Sequence, residues 1–239
     1  MSVACLNCGL RKKAYFRKFS EDELRFITEA KAGHVKMPAK ADLSISDGRI
    51  ATLYSGWAFR YKRSADGVRQ ILDFLLPGDI IGMENLGGGK IEYGVEALTP
   101  VSLCMLNADT LALLIRQFPD YSMQFLRNLL QDRRRNDSRM LAIGKGHGAQ
   151  RVAYLMVEIY ERQKQRDLAT ESWCPFPLQR QHIADALGLS GTHVNRAVAD
   201  LRKSDLAQIS NNALVVSDWD KLASFARYDF TRDSKRALL

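Results

Sequence analysis

The chain has 239 residues, of which 46% are apolar, and its 35 basic and 27 acidic residues give a formal net charge of +8. This length allows one large domain or two smaller ones with a proper core, and the positive charge suits a nucleic-acid partner without requiring one. No run approaches the roughly 18 apolar residues of a membrane span, and the start, MSVACLNCGLRKK, lacks the apolar core of a signal peptide, so we expect a cytoplasmic protein with no membrane partner.

The N-terminal segment of about 20 residues is basic and carries the motif Cys5-x-x-Cys8. It is followed by Ser20-Glu21-Asp22-Glu23, and then by apolar Leu24 and Phe26. This pattern predicts a helix that begins with a serine cap and has acids in its first turn, where the helix dipole favours them.

In residues 35–106 the sequence pattern changes to short apolar runs separated by turn residues. The expected strands are 51–54, 57–61, 68–76, 93–98 and 101–106. Asp66-Gly67 is the strongest hairpin signal in the chain. Strands at this spacing predict an antiparallel β-sandwich or barrel.

After residue 107 the apolar period becomes helical, with a short helix at 109–117, a break at Phe118-Pro119 and a long helix at 120–143. The apolar side chains of the long helix that could face a second copy are Phe125, Leu126, Leu129, Leu130, Met140, Leu141 and Ile143. The block Arg133-Arg134-Arg135-Asn136-Asp137 interrupts this seam, so packing of the helix on its own β-domain explains it about as well. Gly144, Gly146 and Gly148 mark the expected domain boundary.

The C-terminal third begins with an amphipathic helix over 152–160 and an extended stretch over 173–177, where two prolines disfavour helix. Residues 180–199 then show helical apolar spacing on both sides of a break at Gly188-Leu189-Ser190. Gly188 can end one helix in the left-handed conformation, and Ser190 can cap the next. The stretch predicts a helix-turn-helix, and Asn211-Asn212 predicts the hairpin turn of a small β-wing behind it.

The second helix of this pair carries the candidate recognition residues. One stripe holds Thr192, Asn195, Arg196, Ala199 and Lys203. The alternative is that the two helices only form part of the core. Such helices would not need side chains such as Arg, Asn and Thr, which can read base edges, at their outward positions. We expect the partner to be double-stranded DNA, with Arg196 on a guanine and Asn195 and Thr192 on neighbouring bases.

Other polar residues around the helix pair are candidates for contacts with the sugar-phosphate backbone of DNA. The candidates for phosphate contacts are Gln179, Arg180, Lys203 and the wing residues Asn211 and Asn212. His193, at the start of the recognition helix, can touch a phosphate or a base, and a solvated position explains it equally well.

The predicted strands, the long helix and the helix-turn-helix with its wing, in this order, resemble the bacterial Crp/Fnr transcription regulators over nearly the whole chain. Leu53-Tyr54-Ser55-Gly56 lies where such proteins have an L-x-x-G turn, and Pro77-Gly78-Asp79-Ile80-Ile81-Gly82 is similar to their PGD-x-x-G turn. The resemblance implies an α+β fold in three parts: a cyclic-nucleotide-binding-like β-roll (jelly roll) over 1–119, a dimerisation helix over 120–146 and a winged helix-turn-helix over 147–239. It also implies a homodimer on a palindromic operator, contact with RNA polymerase and no enzymatic activity.

The family's two best-known effector sites both fit this chain incompletely. The stretch 82–98, similar to the phosphate cassette of cyclic-AMP-binding members, has Lys90 as its only cation and lacks the arginine that would hold a phosphate, which argues against cyclic AMP. The Fnr branch holds an iron–sulfur cluster with N-terminal cysteines and one in the β-roll. Cys5, Cys8 and Cys104 are similar in position, but Ala14 stands where a third N-terminal cysteine would fall.

Three interpretations of these cysteines stay open from the sequence. They are inert, with Cys104 a small buried hydrophobe. Alternatively, Cys5 and Cys8 form a thiol redox pair beside basic residues, or the cysteines join a metal or cluster site completed by another ligand. Two rival functions also remain: a cyclic-nucleotide-responsive regulator, and a small-molecule-binding or enzymatic β-barrel that carries a DNA-binding module.

Overall fold

The computed structural model describes residues 8–230 except 14, 15, 17 and 47. The chain forms two compact units, the first comprising residues up to Lys62 with Leu72–Leu129, and the second Arg63–Ile71 with the chain from Leu130. Within the described part, no helix is both long and apolar enough to cross a membrane.

The secondary structure up to Gln117 is mostly strand. Its elements are α1 (Glu21–Ala30), β1 (Lys31–Met37), β2 (Arg49–Ser55), β3 (Ala58–Arg63), β4 (Arg69–Leu75), β5 (Ile80–Ile81), a 3-10 helix (Met83–Gly87), β6 (Gly94–Ala97), β7 (Val101–Asn107) and α2 (Ala108–Gln117). The five expected strands and both expected helices are confirmed. β1 and the short β5 are additional.

The strands form two sheets, in the orders β1-β7-β2-β5 and β4-β3-β6. The apolar side chains between them include Leu53, Leu75, Val95 and Leu103, all at most 5% exposed. From Ala51 to Tyr54, fully buried and half-buried residues alternate on β2, because successive side chains of a strand point to opposite faces. The predicted β-roll is confirmed.

The two turns that resemble those of the Crp/Fnr family are locked against each other by backbone hydrogen bonds. The amide of Gly78 donates to the Leu53 carbonyl at 2.7 Å, and the amide of Leu53 donates to the Asp79 carbonyl at 2.9 Å. The buried Asp79 carboxylate accepts a further bond from the Leu76 amide at 2.8 Å. The Pro77-Gly78-Asp79 turn therefore fixes the end of β4 to β2.

Helices and a small sheet make up the rest of the chain. They are α3 (Pro119–Lys145), α4 (Gly148–Lys164), β8 (Trp173–Pro175), α5 (Arg180–Leu187), α6 (Gly191–Lys203), β9 (Gln208–Ser210), β10 (Ala213–Val215) and α7 (Trp219–Ala226). Asn211 and Asn212 both have positive φ at the β9–β10 turn, as a tight hairpin requires. The wing is confirmed, and β8 adds a third strand in the order β8-β10-β9.

A buried charge cluster joins α3 to α4 within the second unit. Glu158 on α4 is fully buried and accepts two hydrogen bonds from Arg139 on α3, one of them from Nε at 2.9 Å. Arg135 Nε lies 3.7 Å and Arg162 Nη1 4.0 Å from the same carboxylate. A buried charge is tolerated only when it is paired and hydrogen-bonded, so this cluster fixes the orientation of the two helices.

Gly56 provides a test of the β-roll turn. Its φ is +85°, and a Cβ there would lie 2.2 Å from the Pro100 carbonyl oxygen, so Gly56→Ala should lower the free energy of unfolding by more than about 2 kcal/mol. Gly67→Ala is the matched control, because its φ is also +85° but nothing lies within 4 Å of the added Cβ. The control should cost only about 1 kcal/mol of backbone strain. Urea unfolding measures both, and equal losses would contradict the steric explanation.

Candidate functional site

The helix-turn-helix is built from α5 and α6, and local hydrogen bonds define both ends of its turn. Gly188 ends α5 with φ +62°, and Ser190 Oγ accepts a hydrogen bond from the His193 amide at 3.2 Å. Ser190 Oγ also lies 2.9 Å from His193 Nδ1. Both roles match the sequence expectation for Gly188 and Ser190, and the second bond ties the His193 ring to the turn.

One face of α6 is buried against α4 and α5. Val194 is fully buried, and Ala197, Val198 and Leu201 are almost completely buried. Ala184 on α5 is also buried and small, which permits close approach of the two helices. This packing fixes which side of α6 faces outward.

The opposite face of α6 is polar and open to solvent. Thr192, His193, Asn195, Arg196 and Lys203 are all exposed. Thr192, Asn195, Arg196 and Lys203 follow the three-or-four-residue spacing of a single helical stripe. The residues predicted to read DNA are therefore placed where a groove could be reached.

The remaining predicted phosphate contacts flank this helix in sequence. Gln179 is exposed and Arg180 is half-buried at the start of α5. Asn211 and Asn212 are exposed at the wing turn. Their contact with phosphates stays a prediction.

A contact that the sequence did not predict holds α5 inside the second unit. Arg69 Nε donates to Asp185 Oδ2 at 2.8 Å, and Gln70 Nε2 donates to the Ala186 carbonyl at 3.1 Å. The Arg69 and Asp185 side chains are only 18% and 11% exposed, so water screens this pair weakly. Ion pairs between residues so distant in sequence leave no periodic signal.

The cysteines of the β-roll line one small cavity in the first unit. The cavity has a volume of about 70 Å³, and Cys8, Cys104 and His34 all contribute to its wall. The other lining residues are Leu10, Arg11, Phe16, Ile27, Lys31, Thr52, Tyr54, Ile80, Leu106, Leu111 and Tyr121. Cys5, the third cysteine of the predicted site, lies outside the described residues.

Strand register explains why the residues of the cavity that lie on β1, β2 and β7 meet. Cys104 on β7 lies opposite His34 on β1 and opposite Thr52 on β2. Tyr54, two residues beyond Thr52, packs edge-on against the His34 ring at 5.5 Å. His34 Nε2 lies 2.8 Å from Ser102 Oγ, and burial, aided by Lys31 and Lys36, lowers the pKa of His34, which favours a neutral imidazole.

A metal or cluster is not supported by the described residues alone. Among them, no group of three or more His, Cys, Asp or Glu side chains could hold a metal ion. The fourth cysteine, Cys174, is buried on β8 in the second unit, and burial raises the pKa of its thiol to about 12. We therefore assign no step to a metal or a cluster.

An arginine that sequence reasoning missed lies beside the region similar to the cyclic-nucleotide cassette. Arg60 on β3 places its guanidinium 5.0 Å from the centre of the Tyr93 ring, and the Tyr93 hydroxyl donates to Glu84 Oε2 at 2.9 Å. Burial and the neighbouring Glu84 raise the pKa of Tyr93. Arg60 lies outside the 82–98 stretch in sequence, so only the cross-strand pairing of Arg60 with Val95 brings it near.

Comparisons with known proteins match both halves of the chain. A family model for the Crp-like helix-turn-helix domain matches residues 150–225, and one for the cyclic nucleotide-binding domain matches residues 46–118. A cyclic-nucleotide-binding-like β-roll, a long helix and a winged helix-turn-helix together define a DNA-binding transcription regulator.

Relatives that match the chain over most of their length are regulators of the same class. The nitrogen fixation regulation protein FixK of Rhizobium meliloti is 30% identical over 183 residues, covering 76% of this chain and 78% of FixK. The transcriptional activator protein FnrL of Cereibacter sphaeroides is 24% identical over 231 residues, covering 94% of this chain and 92% of FnrL. FixK2 of Bradyrhizobium japonicum is a similar solved structure, with a TM-score of 0.71 at 23% identity, covering 80% of this chain and 96% of FixK2. The chain belongs to the Crp/Fnr family of transcription regulators.

His182 offers a pH test of the DNA-binding unit. Burial, followed by nearby Arg69, lowers the pKa of His182, and its Nδ1 accepts the Gln179 amide at the start of α5. Below the ordinary histidine pKa of about 6.5, the unfolded chain binds this proton and the folded chain resists it. The free energy of unfolding should therefore fall as the pH drops from about 7.5 to about 5.5.

His182→Asn is the matched variant, because its side-chain oxygen can accept the same amide bond without titrating in this range. Urea titrations at both pH values should show a smaller loss for the variant than for the wild type. Identical losses in the two proteins would show that His182 is not the group responsible.

Proposed function

We propose that the protein is a homodimeric, sequence-specific regulator that reads a palindromic operator with α6. The observation that carries the proposal is the division of α6 into a buried apolar face and an exposed face bearing Thr192, Asn195 and Arg196. Membership of the family supports the DNA-binding role. The regulator would act in the cytoplasm and contact RNA polymerase, as the family resemblance implies.

Each exposed residue has a distinct role in this proposal. The guanidinium of Arg196 donates two hydrogen bonds to O6 and N7 of a guanine. Asn195 and Thr192 contact neighbouring base edges or a thymine methyl. Gln179, Arg180, His193, Lys203, Asn211 and Asn212 hold the sugar-phosphate backbone, which sets the position of the protein without reading sequence.

An exposed apolar stripe on α3 supports dimerisation. Met123, Leu126, Leu130 and Met140 are about half or more exposed, and Met140 reaches 68%. Together with Arg133 and Asp137, these residues recur in alternating steps of three and four along α3. This averages to the 3.5-residue repeat of a seam between two paired helices. Two copies paired in this way would place their α6 helices about one DNA turn, roughly 34 Å, apart.

We also propose that the β-roll senses redox state through its cysteine-lined cavity. The support is that Cys8 and Cys104, from different parts of the chain, line the same cavity. Oxidation there would alter DNA affinity.

The role of Arg196 is tested by Arg196→Ala on a site selected from random DNA. Binding to the selected site should weaken by about 1–3 kcal/mol, while binding to random DNA changes little. Lys203→Ala is the control, because loss of a phosphate contact should weaken both to the same extent. Fluorescence anisotropy at fixed salt measures the affinity of the wild type and of both variants for each DNA. Equal losses on both DNAs for Arg196→Ala would overturn its assignment as a base-reading residue.

The α3 seam is tested by the double variant Leu126→Asp, Leu130→Asp. Two carboxylates in an apolar interface must be desolvated without partners, so the variant should sediment at the 27.0 kDa chain mass and the wild type at twice that value. Leu113→Asp, at a similarly exposed leucine of α2, should remain dimeric. Analytical ultracentrifugation and circular dichroism separate loss of pairing from loss of folding, and a folded dimeric double variant would contradict the seam.

A further inference from the structure

We propose that a cavity at the junction of α3 and α4 is a binding site for a small organic anion, with a carboxylate or phosphate group on an apolar body of about one ring. The cavity has a volume of about 170 Å³ and lies within the second unit. The end of α3, the start of α4 and the end of α7 with the residues after it form its wall. The exposed seam residues Met123, Leu126, Leu130 and Met140 do not line it, so the site is distinct from the proposed dimer contact.

The walls of the cavity are held in place by contacts of the protein itself. Two residues, 146 and 147, separate α3 from α4. The Gly146 amide donates to the Ala142 carbonyl at 2.9 Å, and a Cβ on Gly146 would lie 2.6 Å from that oxygen, so the close turn requires glycine. Gln150 joins α4 to α7, because its Nε2 donates to the Phe225 carbonyl at 3.4 Å. A ligand would therefore enter a site that already exists.

Cations outnumber carboxylates around the opening of the cavity. Arg134, Lys145 and Arg227 are exposed and line it, and Asp229 is the only carboxylate among the described lining residues. None of these three cations forms an ion pair with a residue that the structure describes. Like charges gathered at one opening repel each other, and a bound anion would offset that repulsion. The charge of the site thus selects an anionic ligand.

Arg227 has a backbone conformation that favours glycine. It ends α7 with φ +55°, and the residue that ends a helix in this left-handed conformation is usually glycine. An arginine there carries backbone strain, which is found preferentially at functional sites. Because the Arg227 side chain lines the cavity, a glycine would relieve the strain but remove one of the three cations.

The inner wall is apolar and sets the size of the ligand. Tyr154 and Ala226 are buried, and the Tyr228 ring lies 5.1 Å from the Tyr154 ring. Leu141 and Ala142 of α3 complete this wall. An engineered apolar cavity of about 150 Å³ binds benzene, so about 170 Å³ accommodates one ring. A free inorganic anion would leave the apolar wall in contact with water, which favours an organic anion.

The experiment titrates the full-length protein with benzoate and with phenyl phosphate in a calorimeter at fixed ionic strength. Each probe should bind once per chain with a dissociation constant in the millimolar range, as expected for a ligand of so few atoms. Benzamide, the uncharged analogue of benzoate, should bind about tenfold more weakly or worse, because the hydrogen bonds between charged groups are lost. Inorganic phosphate should bind more weakly than phenyl phosphate.

Variants locate the site. Arg227→Gly should weaken benzoate binding about threefold or more, the effect of losing one exposed charged contact. Its thermal unfolding midpoint should be unchanged or higher, since glycine suits the left-handed conformation. Ala142→Leu fills the apolar part and should abolish binding of both probes, with circular dichroism as the check on folding. Lys221→Gln is the matched control and should bind as the wild type does, because Lys221 is an exposed cation of α7 outside the cavity wall.

Several results would overturn the site. They are no binding of either probe, binding that survives both Arg227→Gly and Ala142→Leu, and equal affinities for benzamide and benzoate. If neither probe bound and Arg227→Gly weakened binding to DNA, the cations would be contacts for the DNA backbone and the ligand site would be wrong. Failure of the wild type to bind any selected DNA would instead refute the proposed function, on which this site does not depend.

Discussion

The packing of one side of α6 against α4 and α5 is the constraint on which the rest depends. Val194 and Leu201 are buried at that contact, and their burial forces Arg196 and Asn195 to the other side of the helix. A rotation of α6 by half a turn would bury these polar groups without partners, at a cost of several kcal/mol each. The exposed polar face of α6, which we propose reads DNA, is therefore a consequence of the core and does not need DNA in order to form.

The second unit extends this rigidity from α6 to the proposed dimer helix. α4 packs on α6, and its fully buried Glu158 holds the almost completely buried Arg139 of α3 in an ion pair. Removing Glu158 would leave the buried guanidinium groups of Arg139 and Arg162 without their shared carboxylate. The orientation of α6 relative to the C-terminal half of α3 is thereby set inside one compact unit, as the proposed two-fold dimer on DNA would require.

The sensor half shows how a family scaffold can carry altered chemistry. The β-roll and its Pro77-Gly78-Asp79 turn are those of the Crp/Fnr family, yet the cassette arginine and the third N-terminal cysteine are missing from the sequence. Strand pairing brings Arg60 beside Tyr93 in one region and His34 opposite Cys104 in another. Cys8, from the N-terminal segment, lines the same cavity as His34 and Cys104. Fold and effector chemistry are separable, because the fold depends on apolar alternation and turn residues, whereas the site depends on a few side chains.

The sequence by itself determined most of the strands and helices in their order, the caps at Gly188 and Ser190, the wing turn and the family, because these depend on local periodicity, turn chemistry and short motifs. The strands β1, β5 and β8 were added by the structure. It also placed Thr192, Asn195 and Arg196 on one stripe, since helical spacing is a local property. Only the tertiary structure decided that Arg135 and Arg139 of the long helix turn toward Glu158, that Arg69 pairs with Asp185, and that Cys8 shares a cavity with Cys104. These contacts join residues far apart in the chain, and their partners are selected by packing and strand register, which leave no periodic trace in the sequence.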